Sequence, residues 1–118
     1  MLQINSMQFA ALAAFAAVNP EGFTINATTG SVPTSGYCVA LAATQNSHGD
    51  EGLARVIELI NSGTTRAEYV GGWLDQESGL YYYDATVVVD NLADALELGR
   101  LNGQIAIFDL NNMEEIRL

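Results

Sequence analysis

The only cysteine and the only histidine of the sequence, Cys38 and His48, are the first residues to consider for catalysis. A thiolate becomes a nucleophile when a nearby base accepts its proton, so this pair suits covalent catalysis. Cys38, however, lies within the apolar segment YCVALAA, where a small thiol ordinarily packs in the core. His48 follows Ser47 at the expected start of a helix and suits a loop or capping position. A small enzyme or ligand-binding domain that uses these residues is therefore an alternative hypothesis.

Two pairs of acidic residues, Asp75 with Glu77 and Asp90 with Asp94, have the side chains that glycosidases use as general acid and base. No residues of an evident substrate cleft accompany them, so a polar turn and a helix start explain the pairs more simply. The segment 75–79 also matches only part of a calcium loop, and one histidine with one cysteine cannot complete a zinc site. The sequence therefore predicts no catalytic residue, no cofactor and no metal, and favours a non-enzymatic protein.

The acidic residues are concentrated in the second part of the chain. Residues 1–47 contain a single one, whereas residues 48–118 contain the rest and all four arginines. Clustered carboxylates attract a basic surface over long distances, and a continuous array of them imitates nucleic-acid phosphates. Tyr82, next to acidic residues, adds a ring of the kind common at protein interfaces. The alternative is a solvated acidic surface that keeps a small protein soluble. The predicted partner-binding residues are Asp75, Glu77, Tyr82, Asp84, Asp90, Asp94 and Glu97.

Three helices are expected to position these residues. The second is the clearest, because Leu53, Val56 and Ile57 fall on one stripe of a helical pattern. Breaker residues and caps mark the ends of all three. The predicted helices run from a cap at Ser6 to about Val18, from just after Ser47–Gly49 to a stop at Gly63, and from Asp90-Asn91 to a stop at Gly103.

The third helix is predicted to place Leu92, Ala95, Leu96 and Gly99 toward the core, with Asn91 and Asp94 at capping-box spacing. Leu98 and Leu101 point elsewhere, so a partner or a chain terminus is expected to cover them.

Strands are predicted at 22–26 and 37–43, joined as a loose hairpin, and at 69–74 and 80–89, joined as a tighter one. In the second hairpin, a pairing of Leu74 with Leu80 would place Trp73 opposite Tyr81, and a different turn length would shift that register. Successive side chains of the strand 80–89 point to opposite faces of the sheet. One set is predicted to face the core, and Tyr82 and Asp84 are predicted to face away from it. The predicted core set is Tyr81, Tyr83, Ala85, Val87 and Val89.

A further strand is predicted at 104–110. Asn111-Asn112 suits a two-residue turn that returns the chain as an edge strand, with Ile107 opposite Ile116. The order is α-β-β-α-β-β-α-β with a possible final strand. We predict one α+β domain over residues 1–118, in which three helices pack on an antiparallel-rich mixed sheet of five or six strands.

The composition excludes several classes of partner. The 118 residues carry a formal charge of −10, with 14 acidic residues and only four basic ones. Nucleic acids and anionic membranes are bound through basic clusters, so direct binding to either is not expected. Residues 7–18 are apolar but too short to span a bilayer and follow no basic segment, which favours a helix over a signal peptide. One cysteine gives no disulfide scaffold, so a cytoplasmic location is expected.

The segment GGWLDQESGLYYYD, followed by NLADALELGRLNGQIAIFDL, resembles small acidic proteins of bacteriophages and other bacterial mobile elements. The resemblance covers about the last 50 residues. Such elements encode inhibitors of host defence, including antirestriction and anti-CRISPR proteins, which occupy a nuclease or its nucleic-acid groove. The resemblance therefore implies an inhibitor of a nuclease or a CRISPR-type complex, and it assigns no role to an individual residue.

The first functional hypothesis is a protein that binds a basic surface of a protein partner and so inhibits a nucleic-acid-binding defence complex. The second is a structural or accessory protein that self-associates, in the simplest case as a homodimer, through the terminal edge strand with Leu98 and Leu101. The third is the small enzyme or ligand-binding domain built on Cys38, Ser47 or His48.

Overall fold

A single sheet is the centre of the structure, a computed structural model that describes residues 6–118. In chain order the elements are α1 (Ser6–Ala17), β1 (Phe23–Asn26), β2 (Tyr37–Ala40), a short 3₁₀-helix (Ala42–Thr44), α2 (Gly49–Ser62), β3 (Tyr69–Asp75), β4 (Leu80–Val89), α3 (Leu92–Leu101), β5 (Ala106–Asp109) and β6 (Glu114–Arg117). The strand order is β1-β3-β4-β2-β5-β6, and every pairing among the described residues is antiparallel. The predicted α+β fold and the final edge strand are confirmed.

The helices of the described chain pack on one face of the sheet. In α2, Leu53, Val56 and Ile57 are fully buried against the inward residues of β3 and β4. Their spacing of three and four residues places them on one side of the helix, as the sequence predicts. The helix ends at Gly63, whose φ of 71° is the left-handed conformation that glycine tolerates best. The alternation predicted for β4 is also confirmed, since Tyr83, Ala85 and Val87 are buried in this core.

The third helix covers β2 and β5, where Ala95 packs with Val39 and Ile107 in a second cluster. The prediction that Leu92 faces the core is wrong: it is 41% exposed at the first turn. Leu98 contacts both clusters instead, because it lies on the side of α3 that faces the boundary between them. The Asn91 side chain accepts the Asp94 N–H, which confirms the predicted cap.

The predicted hairpin between the first two strands is wrong. β1 pairs with β3, whereas β2 pairs with β4 and β5. The connection 27–36 is long enough to separate the two strands, and the Asn26 side chain turns it by accepting the N–H groups of Thr28 and Thr29. Gly72 explains why β1 lies beside β3, because a Cβ at this position would overlap the ring of Phe23. β2 also ends at Ala40, earlier than predicted, where the 3₁₀-helix follows.

The hairpin of β3 and β4 forms, but its register differs by one residue from the predicted one. Asp75, not Leu74, pairs with Leu80. Gly79, at a φ of 75°, donates its N–H to the Asp75 carbonyl at 2.8 Å and closes the shorter connection 76–79. Trp73 consequently pairs with Tyr82 rather than with Tyr81. A shift of one residue moves a side chain to the other face of a sheet, so Trp73 lies on the face away from the helices.

The register predicted for the last two strands is confirmed by the pairing of Ile107 with Ile116. The two-residue turn is wrong, because the left-handed residue of this connection is Met113, with a φ of 53°. The buried Asp109 carboxylate accepts the N–H of Asn111 at 2.8 Å and the side-chain amide of Asn112 at 2.8 Å. This side-chain turn determines how the chain reverses.

The sheet is strongly coiled. The Cys38 thiol donates to Thr24 Oγ1 at 3.7 Å, although β3 and β4 lie between the strands that carry these residues. In a flat sheet the two strands would be about 14 Å apart. The face away from the helices is therefore concave, and we call it the concave face. No helix within residues 6–118 has the length and apolar character needed to cross a membrane.

Candidate partner-binding site

Three aromatic rings lie side by side at the hairpin end of the concave face. Trp73 stacks on Tyr82 with ring centroids 5.1 Å apart and planes 18° apart. On the other side of Tyr82, the His48 ring meets it edge-on at 5.5 Å, because His48 bridges to β4 just before α2 begins. We call these three residues the aromatic row. Trp73 is 47% exposed, so the row presents a large ring to solvent.

Asp84 follows the aromatic row on the same face of β4. It is two residues beyond Tyr82, a spacing of about 7 Å along the strand. Its cross-strand neighbour on β3 is Gly71, so no side chain of β3 shields the space beside it. Burial raises the pKa of the Asp84 carboxyl to about 6, because partial removal from water disfavours the charged form.

No side chain or backbone N–H of the described residues donates a hydrogen bond to the Asp84 carboxylate, and no arginine there pairs with it. The single ion pair within residues 6–118 joins Arg117 to Glu115 at 3.8 Å, on an edge strand. Asp84 therefore holds a partly desolvated charge that the described fold does not neutralise. We call the aromatic row together with Asp84 the concave-face site.

The other predicted partner-binding residues lie elsewhere. The Asp75 carboxylate accepts the Glu77 N–H at 3.2 Å and the Ser78 hydroxyl at 2.9 Å, so it holds the hairpin turn. Glu77 is exposed in that turn. At the opposite end of β4, Asp90 precedes α3, and Asp94 and Glu97 lie on that helix.

These acidic residues do not form one array. The ten residues of β4 separate the hairpin turn from Asp90 by about 30 Å. Asp94 and Glu97 belong to a helix on the face opposite Asp84. The structure thus brings together Tyr82 and Asp84 of the predicted set, and it divides the remainder between the two ends of the molecule.

The nucleophile and base of the third hypothesis are far apart. Cys38 pairs with Val88 and His48 bridges to Tyr82, positions that are about 20 Å apart along β4. Burial raises the pKa of the Cys38 thiol, which opposes formation of the thiolate. The Ser47 hydroxyl is buried without a hydrogen-bond partner, and its backbone carbonyl accepts the Tyr83 N–H at 2.9 Å. These residues therefore do not form the cysteine–histidine pair that the third hypothesis requires.

No metal-binding group of three or more suitable side chains occurs within residues 6–118. Two shallow depressions of about 250 and 220 Å³ lie between the 3₁₀-helix and α2 and beside α3. Both are smaller than the usual pocket for a small molecule. At the concave-face site Trp73 is 47% exposed whereas Asp84 is half-buried, so the rings face solvent more fully than the carboxylate does.

Sequence reasoning missed two members of this site, Trp73 and His48. The signal for Trp73 was the turn length, because a four-residue connection places it opposite Tyr82 and a five-residue connection opposite Tyr81. His48 gave no such signal, since its contact with Tyr82 depends on how the start of α2 lies against β4. Comparison of the chain with protein-family models, with curated proteins and with solved structures found no match.

Proposed function

We propose that the protein binds a basic surface of a protein partner, with the concave-face site at the centre of the contact. The observation that carries this proposal is the unneutralised, partly desolvated carboxylate of Asp84 beside the exposed ring of Trp73. A cation from a partner would neutralise the carboxylate, and the rings would supply apolar contact area. Tryptophan, tyrosine and desolvated charge pairs are the groups that dominate binding energy at protein interfaces.

The charge of the whole chain supports the same proposal. A net charge of −10, with a single ion pair within residues 6–118, gives a negative field that accelerates encounter with a basic partner. The acidic residues at the two ends of the molecule contribute to this attraction without touching the same part of the partner. Recognition by imitation of a continuous phosphate array is not part of the proposal, because Asp84, Asp75 and Asp94 lie in separate regions.

The proposal extends to the biological setting. We place the protein in the cytoplasm and assign it the role of an inhibitor of a nucleic-acid-binding defence complex, such as a nuclease or CRISPR-type complex. The support for this extension is the resemblance of the second part of the chain to small proteins of bacteriophages and mobile elements, together with its acidity.

Exposed apolar residues favour a second candidate, self-association. Leu101 is 77% exposed and Ile105 is 74% exposed, close to the edge strand β6. That strand carries Glu114, Glu115 and Arg117, and charges on an edge oppose strand-to-strand pairing between copies. Sedimentation equilibrium up to high micromolar concentration distinguishes the two candidates: a monomer excludes self-association, and a dimer that persists in high salt supports it.

The proposed binding is tested by affinity capture from bacterial lysate at low and high salt, followed by mass spectrometry. Three forms are compared: the wild-type chain, Asp84→Lys, and the double variant Asp90→Lys with Asp94→Lys. We expect a stoichiometric basic protein that is released by salt, is lost with Asp84→Lys, and is recovered at reduced yield with the double variant. Recovery of the bait alone, or of the same protein at unchanged yield with Asp84→Lys, would reject the proposal.

A further inference from the structure

The concave-face site has a chemical preference that follows from its geometry. Its carboxylate, Asp84, lies about 7 Å along β4 from Tyr82 and diagonally across the ladder from Trp73. A ligand that reaches the carboxylate from solvent at the hairpin end therefore passes along the rings of the aromatic row. We infer that this ligand is the side chain of an arginine presented by the partner, an inference that rests on the proposed function.

Hydration distinguishes arginine from lysine at this position. Asp84 is partly removed from water, so a cation that pairs with it must lose part of its own hydration shell. The guanidinium group is more weakly hydrated than an ammonium group, and its planar N–H groups match both oxygens of a carboxylate. The site thus favours the guanidinium group on the grounds of desolvation and of geometry.

The aromatic row adds a second preference for arginine. Guanidinium groups and the methylene groups next to them stack on aromatic rings, and tryptophan gives the strongest interaction of this kind. Trp73 is 47% exposed and is held in place by its stack on Tyr82, so its ring is oriented before a ligand arrives. Little side-chain entropy is then lost on binding.

The charged residues near the concave-face site do not repel an arginine that pairs with Asp84. The aromatic row contains two titratable residues, Tyr82 and His48, and the His48 ring meets Tyr82 from the side away from Trp73. The turn residues Asp75 and Glu77 at the same end of the hairpin are acidic. No arginine of the described chain forms an ion pair or a hydrogen bond with Asp84, so no cation within residues 6–118 neutralises this half-buried carboxylate.

The test uses N-acetylarginine methylamide as the probe, with the lysine and citrulline analogues as controls. Trp73 is the only tryptophan of the chain, so its fluorescence and its indole N–H signal report on the site directly. We expect saturable binding of the arginine probe in the millimolar range, at least fivefold weaker binding of the lysine analogue, and no saturation with citrulline. Citrulline has the shape of arginine but lacks its charge.

Variants assign the effect to Asp84. We expect Asp84→Asn to weaken binding of the arginine probe at least tenfold, and Glu114→Gln, which removes one charge from the exposed edge strand β6, to leave it unchanged. Equal responses to arginine and citrulline, equal responses to arginine and lysine, or equal binding by the wild type and Asp84→Asn would overturn the inference.

The outcome separates this inference from the proposed function. If lysate capture depends on Asp84 but the probes show no preference for arginine, the partner binds and the arginine assignment is wrong. If the probe binds selectively while capture yields the bait alone, the proposed protein partner is wrong and the site recognises a free guanidinium compound.

Discussion

Asp84 has an ionised carboxyl group that the described fold does not stabilise. Most carboxylates of the chain are either exposed or, like Asp109, hydrogen-bonded to neighbouring N–H groups. Burial instead raises the pKa of Asp84 to about 6, so ionisation of this group opposes folding at neutral pH. A half-buried carboxylate that lowers the stability of the free protein and lies near an exposed tryptophan is typical of functional sites, which is why the proposed function centres on it.

The first prediction concerns the pH dependence of stability. Between the unfolded pKa of 3.8 and the folded pKa of about 6, the folded state binds more protons at Asp84 than the unfolded state does. The contribution of this residue to the free energy of unfolding therefore falls as the pH rises through this window and remains unfavourable above it. We expect Asp84→Asn to be more stable than the wild type by about 1–2 kcal/mol at pH 8, with a difference close to zero at pH 4.

Urea unfolding of the two proteins at both pH values checks this prediction. Glu114→Gln serves as the matched control, because it removes the same charge from an exposed position, and we expect it to change stability little at either pH. A variant Asp84→Asn that is less stable than the wild type at pH 8 would show that the ionised carboxylate has a stabilising contact within the protein.

Individual residues also show where sequence reasoning succeeds. Asn91 as a helix cap and Gly63 as a helix end follow from local chemistry and are confirmed. Tyr82 and Asp84 were correctly assigned to the face away from the core by the alternation of β4. The separation of Cys38 from His48 was not predictable, because it depends on which strands become neighbours in the sheet.

At the scale of elements, the length of one turn decides the composition of the site. The connection 76–79 moves Trp73 from the predicted core face to the concave face. The pattern of β3 itself does not exclude either face, since Gly71 and Gly72 leave its alternation weak. The order of the strands in the sheet was also not predictable from local sequence patterns, because the pairing of β1 with β3 is a contact between segments distant in sequence.

The second prediction compares two helical glycines. A Cβ at Gly52 in α2 would overlap the backbone of Ser47, whereas a Cβ at Gly99 in α3 would meet the flexible end of Leu118 at 2.7 Å and a methyl of Ile107 at 3.0 Å. Alanine also gains about 1 kcal/mol of helix propensity over glycine. We expect Gly52→Ala to lower the free energy of unfolding by about 2–4 kcal/mol and Gly99→Ala to change it by less than about 1 kcal/mol.

Thermal and urea unfolding of the two variants measure this difference. The reverse ranking would mean that the start of α2 can move away from the segment that carries Ser47. Because His48 adjoins that segment, such freedom would also weaken the contact between His48 and Tyr82.

The third prediction concerns the connection between β5 and β6. Hydrogen bonds from the Asn112 side chain, and from the backbone N–H groups of Asn111 and Asn112, lower the pKa of the Asp109 carboxyl despite some opposing effect of burial. Its stabilising contribution is present above the unfolded pKa of 3.8 and is lost as the pH falls through the lower folded pKa. We expect Asp109→Ala to release β6, and amide hydrogen exchange to become faster at Glu114–Arg117.

Exchange in β3 and β4 provides the internal control, because β2 and β5 separate these strands from β6 in the sheet. Their protection is expected to stay near the wild-type value. Uniformly faster exchange across all strands would show instead that Asp109 stabilises the fold as a whole.

At the scale of the whole molecule, the net charge and the arrangement of side chains on one face act over different distances. The charge of −10 acts over long range and needs no particular arrangement of residues, so it was fully readable from the composition. Contact depends on which side chains share a face, and the structure shows that Asp84, Tyr82 and Trp73 do so while the other predicted acidic residues do not. The sequence therefore predicts the charge of the chain and two of the four residues of the concave-face site, Tyr82 and Asp84, and the charge of a partner stays a prediction.

The central claim, that the concave face contacts a basic partner, is tested most directly by site-specific photocrosslinking in bacterial lysate. The crosslinker replaces Leu80, which is 37% exposed and precedes Tyr82 on the concave face, or Glu114 on the far edge strand. We predict a covalent adduct with one basic protein from position 80, suppressed by high salt and by Asp84→Asn, and little adduct from position 114. An adduct of equal yield from both positions, or one that Asp84→Asn leaves unchanged, would contradict the claim.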